Sequence, residues 1–163
     1  MSGIPREEHE NESSVLWRAR CFSGNRRRDA GSVSAGNRER LIGAWRLVHI
    51  ESPGADGKPS SGPQPKGMLL YTRDGHVSVQ LMYPESASAL SNDYVQNGYE
   101  ASFGSYNIDE AKHILTHHIE ASNTRSLLVG KDLPRVYRFT SDGHLIIKSA
   151  RPDERWFVEW EHY

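Results

Sequence analysis

The connections between its β-rich runs constrain this chain more than any other feature. From Leu41 onward, short stretches rich in Val, Ile, Leu and aromatic residues alternate with turn residues, and eight of them read as strands, near 41–51, 67–72, 75–82, 103–109, 113–120, 135–140, 144–149 and 155–161. Asp74-Gly75 and Asp142-Gly143 carry the tolerance of positive φ that tight hairpins need, and "DEAK" and "RPDE" are short polar links. Links this short cannot make the crossover that parallel neighbours require, so consecutive strands pair antiparallel. Eight such strands, with no helices to cover a face or an edge, close most naturally on themselves. The expected fold class is all-β: an eight-stranded antiparallel up-and-down barrel.

Two connections are longer than a hairpin requires. Residues 52–66, "SPGADGKPSSGPQPK", are expected to form a mobile flap. Residues 83–102 include "SNDYVQNGYEASF", where Ser91 or Asn92 is placed to cap a short helix and Val95, Tyr99 and Phe103 recur at helical spacing. The helix and the loop are expected to act as lids over an open barrel end. Residues 1–38 differ in texture, polar and acidic at first and then rich in Gly, Ser, Asn and Arg, with few and aperiodic apolar residues. Such a stretch cannot bury enough surface to offset its ordering entropy, so it reads as a disordered N-terminal extension, with the barrel domain over 39–163.

Composition narrows the function classes. The 20 Lys and Arg against 21 Asp and Glu leave a formal net charge of -1, which provides no summed field for nucleic acid or an anionic membrane. The single cysteine, Cys21, lies in the extension and excludes both an internal disulfide and a multi-cysteine zinc site. No apolar run approaches the roughly 18 residues of a membrane span, and the N-terminus lacks the apolar core of a signal peptide. A cytoplasmic protein is expected, with a small hydrophobic or amphiphilic molecule as partner, no nucleic acid and no membrane; a homodimer stays open. There is no G-x-S-x-G elbow, phosphate-cradling Gly-rich loop or dinucleotide fingerprint, so no cofactor is expected.

The ordered part begins with "LIGAWRLVHI", whose Gly43-Ala44-Trp45 is the G-x-W found on the first strand of lipocalins. With "PKGMLLYTRDGHVSVQLM", "FGSYNIDEAKHILTHHIEAS" and "RVYRFTSDGHLIIKS", the chain over 41–161 resembles the lipocalin-like domain family of small bacterial and fungal proteins. The resemblance implies a calycin-type barrel with a ligand cavity. Barrels like it occur among cyclases and isomerases of natural-product pathways, which implies a cofactor-independent enzyme acting on a polyketide or terpenoid intermediate; a non-catalytic carrier or sensor of a hydrophobic metabolite is the alternative. One departure stands out: the chain ends "WFVEWEHY", with His162 where lipocalins place an Arg over the Trp of G-x-W.

Alternation along strands sends residues i and i+2 to one face. Over residues 113–120, which carry the start of "THHIEASN", this groups Thr116, His118 and Glu120 against Leu115, His117 and Ile119, so the adjacent histidines cannot both face a cavity. In "HVSVQLM" the choice is Val77, Val79 and Leu81 or His76, Ser78, Gln80 and Met82. Amphipathicity favours the Val and Leu face inside; the composition of a polar-lined pocket favours the other, which is the choice adopted. His118 and Glu120 are then the candidate catalytic pair, since a His beside a carboxylate in a screened cavity has tunable basicity. Metal ligation, for which one strand offers only these two groups, and a purely structural hydrogen bond are the competing readings; no metal is expected. Candidate ligand-binding residues are Trp45, Gln80, Met82, Tyr106, Arg135, Tyr137 and Trp160, with Trp156 beside them. Trp45 and Trp160 have packing as their alternative role, and Arg135 a place as a rim charge.

Overall fold

The computed structural model describes residues 36–52, 64–85 and 91–163. The strands are β1 (Gly43–Glu51), β2 (Lys66–Tyr71), β3 (His76–Met82), β4 (Tyr99–Asp109), β5 (Ile114–Ser122), β6 (Asp132–Phe139), β7 (Leu145–Ser149) and β8 (Phe157–His162). Each pairs antiparallel with the next and β8 pairs with β1, closing an eight-stranded barrel in sequence order. The all-β up-and-down barrel expected from the short connections is therefore the fold. Among the described residues no helix is long and apolar enough to cross a membrane.

Local chemistry sets the hairpins. The pattern T-x-D-G-H occurs at 72–76 and again at 140–144, and both copies make the same turn. In the first, Thr72 N donates to His76 O at 2.9 Å and Gly75, at φ 95°, donates to Thr72 O. In the second, Thr140 N donates to His144 O at 2.9 Å and Gly143, at φ 93°, donates to Thr140 O. The threonine hydroxyl also accepts the histidine amide in both, at 3.0 and 2.9 Å. An L side chain would be strained at that φ, which is why the pair is Asp-Gly.

Three boundaries differ from expectation. A one-turn helix, α1 (Asn37–Leu41), precedes β1, because Glu110 accepts the amides of Asn37 and Arg38. This helix falls at the edge of the expected extension, whose first 35 residues lie outside the described set. Strand β4 begins at Tyr99, four residues before the expected start at 103. Over 91–98 the chain forms turns instead of the expected helix. Asn92 does cap, but its Oδ1 accepts both Tyr94 N and Val95 N at 2.8 Å in a side-chain-closed turn, and Tyr99 then pairs back on Gln96. Most of the expected flap, 53–63, lies outside the described residues.

The facing of the strands corrects the choice made from composition. Val77, Leu81, Leu115 and Ile119 are buried, with Val79 packed against the same core, whereas Gln80 and Met82 are exposed and Glu120 points outward with His118. His117 is the inward histidine, at 5% exposure. The hydrophobic term decides this: burying each Val, Leu or Ile side chain is worth about 1.5–3 kcal/mol, and turning β3 and β5 over would expose five of them. One polar inward residue is tolerated if it stays neutral and bonded, and His117 meets both conditions.

Candidate functional site

The barrel has a plugged end and a covered end. At the plugged end Trp45 is buried, its Nε1 donating to Leu41 O at 2.8 Å, and Tyr137, Leu145 and Tyr71 fill the layer around it. Tyr106 belongs to the same packing: its hydroxyl donates to Thr72 O at 2.9 Å and its ring meets Tyr71 edge-on, with centroids 4.9 Å apart. Trp45, Tyr106 and Tyr137 are thus structural neighbours of the cavity rather than its walls.

Toward the other end the interior opens into a cavity of about 100 Å³. Its apolar wall comes from inward positions of four strands, Leu69, Val79, Leu81, Ile147, Val158 and Trp160. Against that wall stand Glu100 from β4, His117 from β5 and Arg135 from β6, each placed inward by the alternation of its strand. Tyr94 and Trp156 cover the opening, and the Arg135 guanidinium lies over both rings, 5.2 and 4.8 Å from their centroids.

That cover is latched. Tyr94 Oη donates to Glu154, with carboxylate oxygens at 2.9 and 3.1 Å, and accepts from Arg151 Nη2 at 2.9 Å. Arg151 pairs with Glu154, and Trp156 Nε1 donates to Glu154 Oε2 at 3.2 Å. The β7 to β8 connection therefore holds the turn at 91–98 over the mouth through one carboxylate.

The interior electrostatics follow from burial. His117 Nε2 lies 2.7 Å from Tyr71 Oη; loss of hydration, with Arg135 and His118 adding like charge, pulls its pKa down to about 3, so the ring is neutral at physiological pH. Burial likewise pushes the Tyr71 hydroxyl well above its ordinary value. Glu100 is half-buried at the mouth, and the partial loss of hydration raises its pKa to about 7 even though Arg135 pulls the other way. A carboxyl poised at neutrality beside a cation, in an apolar cavity, is an arrangement suited to passing a proton to or from a bound molecule.

Of the residues singled out from sequence, Arg135 and Trp160 line this cavity, as does Trp156. Gln80 and Met82 instead border an open outer groove beside Met68, Tyr99 and Tyr163, all well exposed. His118 is on the outer face: its Nδ1 donates to Asp132 at 2.6 Å and Asn107 Nδ2 sits 2.9 Å from Nε2, the cross-strand bond that was the structural alternative for it. Among the described residues no three His, Cys, Asp or Glu side chains converge as metal ligands. The cavity residues that sequence reasoning missed are Glu100, His117 and Tyr94. Counting back by twos from Tyr106 through Gly104 and Ser102 reaches Glu100, but only once β4 is known to start at Tyr99.

Comparison with protein families finds a match over residues 42–160 to the family described as a lipocalin-like domain. No curated protein matches the chain.

Proposed function

Starting from a chain that belongs to the lipocalin-like domain family, whose barrels are suited to binding small molecules, we propose that this one binds a mainly apolar molecule inside the barrel and moves a proton on it, as a cofactor-independent isomerase or cyclase. The observation that carries the reading is Glu100: a carboxyl with a pKa of about 7 in a cavity that it shares with Arg135 and His117 and whose apolar wall is Leu, Val, Ile and Trp. A group half ionised at neutral pH both accepts and donates protons efficiently, and shielding from water keeps the transfer between it and the ligand. Arg135 and His117 face the polar end of the molecule; Leu69, Val79, Leu81 and Trp160 hold its body. Such a site suits a hydrophobic natural-product intermediate with an acidic C–H next to a carbonyl. With the cover closed the cavity of about 100 Å³ falls short of the about 300–1,000 Å³ of ordinary ligand pockets, so a molecule of natural-product size enters when Tyr94 swings off Glu154.

A polar inventory of this kind supports the enzyme reading over the carrier, for which an almost wholly apolar interior would suffice. The test is hydrogen exchange in heavy water on a panel of alkyl and aryl ketones and β-diketones, read by mass spectrometry. The parent should speed deuterium incorporation into at least one of them, and Glu100→Gln should slow it about 10²- to 10⁴-fold. Binding of panel members without any exchange above buffer would put the carrier in the enzyme's place.

A further inference from the structure

Arg135 is only 5% exposed, and among the described residues it has no salt-bridge partner. Its guanidinium carries five N–H donors and no acceptor, yet among the described residues its one hydrogen bond runs from Nη1 to Pro134 O at 3.5 Å, the outer limit of such a contact. No carboxylate of the described residues comes within 4.0 Å of it, although Glu100 shares the cavity. The cation sits over the rings of Tyr94 and Trp156, 5.2 and 4.8 Å from their centroids, neither of which accepts its N–H groups as a carboxylate would, and the residue lines the cavity. A buried cation needs a counter-charge or a full set of acceptors.

His117 adds to this. Tyr71 Oη has His117 Nε2 as its one partner among the described residues. A buried hydroxyl donates where it can, so Nε2 is the acceptor and the neutral ring carries its proton on Nδ1. The interior then presents guanidinium donors and an imidazole N–H from adjacent strands β5 and β6, set in an apolar wall. Next to these donors, on β4, is a carboxyl that is neutral over part of the physiological range.

We propose that the molecule this cavity takes is an organic anion with two coplanar oxygens, a carboxylate or the enolate of a β-diketone, bound by the fork of Arg135 with its apolar body against Val79, Leu81 and Trp160. The inference rests on the reading of the interior as a small-molecule site and adds the charge of the ligand. Planar paired oxygens match the guanidinium fork in geometry, and in a shielded site each bond is charge-assisted. Neutral Glu100 is then a hydrogen-bond donor to the same anion, whereas ionised Glu100 repels it.

The experiment is a titration followed by tryptophan fluorescence at about pH 6, with octanoate, a cyclic β-diketone carrying a hexyl chain, and octanol as the neutral analogue, on the full chain and on Arg135→Met and Arg135→Lys. At least one anion should bind the parent about 10- to 100-fold more tightly than octanol, the range expected for hydrogen bonds to a charged group. Which anion does so identifies the carboxylate or the enolate as the ligand chemistry. In Arg135→Met that preference should vanish, and Arg135→Lys should retain part of it. Equal affinity of octanol and both anions for the parent overturns the anion and leaves the interior site standing. Failure of all three to bind overturns both. The parent comparison decides even if Arg135→Met does not fold.

Discussion

The imidazole of His162 lies on the indole of Trp45, ring centroids 3.6 Å apart and planes 34° from parallel, at the plugged end of the barrel. It occupies the place in which lipocalins carry an arginine, so the closing contact persists with a different side chain. Gly43 explains the first letter of G-x-W. A Cβ at that position would come within 2.6 Å of His162 Cε1, and its φ of 137° is one that L residues rarely adopt. Cationic capping of the end is also supplied, by Arg40 of α1 over the Phe139 ring at 4.0 Å.

Trp45→Ala should therefore cost about 3–5 kcal/mol in denaturant unfolding, because the surrounding strands cannot collapse onto the void. His162→Ala, which removes an aromatic pair at an exposed position, should cost about 0.5–1.5 kcal/mol. A Trp45→Ala protein as stable as the parent would show that this end is not what closes the barrel.

Glu100 makes a pH prediction with a definite sign. Its folded pKa, about 7, lies above the ordinary 4.5, so the folded state holds a proton there that the unfolded state releases. Its contribution is fully present below about pH 4.5 and is lost as pH rises through about 7. Glu100→Gln, which cannot ionise, should gain stability relative to the parent on going from about pH 4.5 to about pH 8, by about 1–3 kcal/mol. A difference that stays flat across that window would mean that the carboxyl is hydrated in the folded protein.

The paired histidines give a contrast across one peptide bond. His117, its pKa pulled down to about 3, should remain neutral by nitrogen-detected NMR down to about pH 4. His117→Ala should destabilise by about 1–3 kcal/mol, since it leaves the Tyr71 hydroxyl buried without its partner. His118→Ala breaks the bond to Asp132 on the outer face, where side-chain exposures of 32% and 70% leave it well hydrated, and should cost under about 1 kcal/mol with ligand binding unchanged. Loss of binding in His118→Ala alone would relocate the site to the outside of the barrel.

How far the sequence discloses this molecule depends on the range of the interactions concerned. The hairpins are legible because their chemistry is local: Asp-Gly pairs at 74–75 and 142–143 fix the turns, and short turns force antiparallel neighbours. Alternation correctly separates His117 from His118, but it does not say which face is inside. Taking Ser78, Gln80 and Met82 as pocket lining set a few polar contacts above the burial of Val77, Val79 and Leu81, and the apolar side chains win. Arg135 is identified on its own, while its setting comes from residues elsewhere in sequence, Tyr94 and Trp156 beside the cation and Glu100 in the same cavity. Glu100 stays hidden because the segment before it reads at helical spacing, and only Asn92 closing its turn shows that the strand starts early.

The interior site is tested most directly by NMR titration of isotopically labelled protein with octanol, a neutral probe that asks where an apolar molecule goes whatever its charge. The indole N–H signals of Trp156 and Trp160 and the Nε–H of Arg135 should shift together and saturate together. The Trp45 indole, bonded to Leu41 O at the plugged end, and the Asn107 amide on the outer face should stay within a linewidth of their free positions. Shifts gathered instead on Gln80, Met82 and Tyr99 along the outer groove, with Trp156, Trp160 and Arg135 unmoved, would contradict the account.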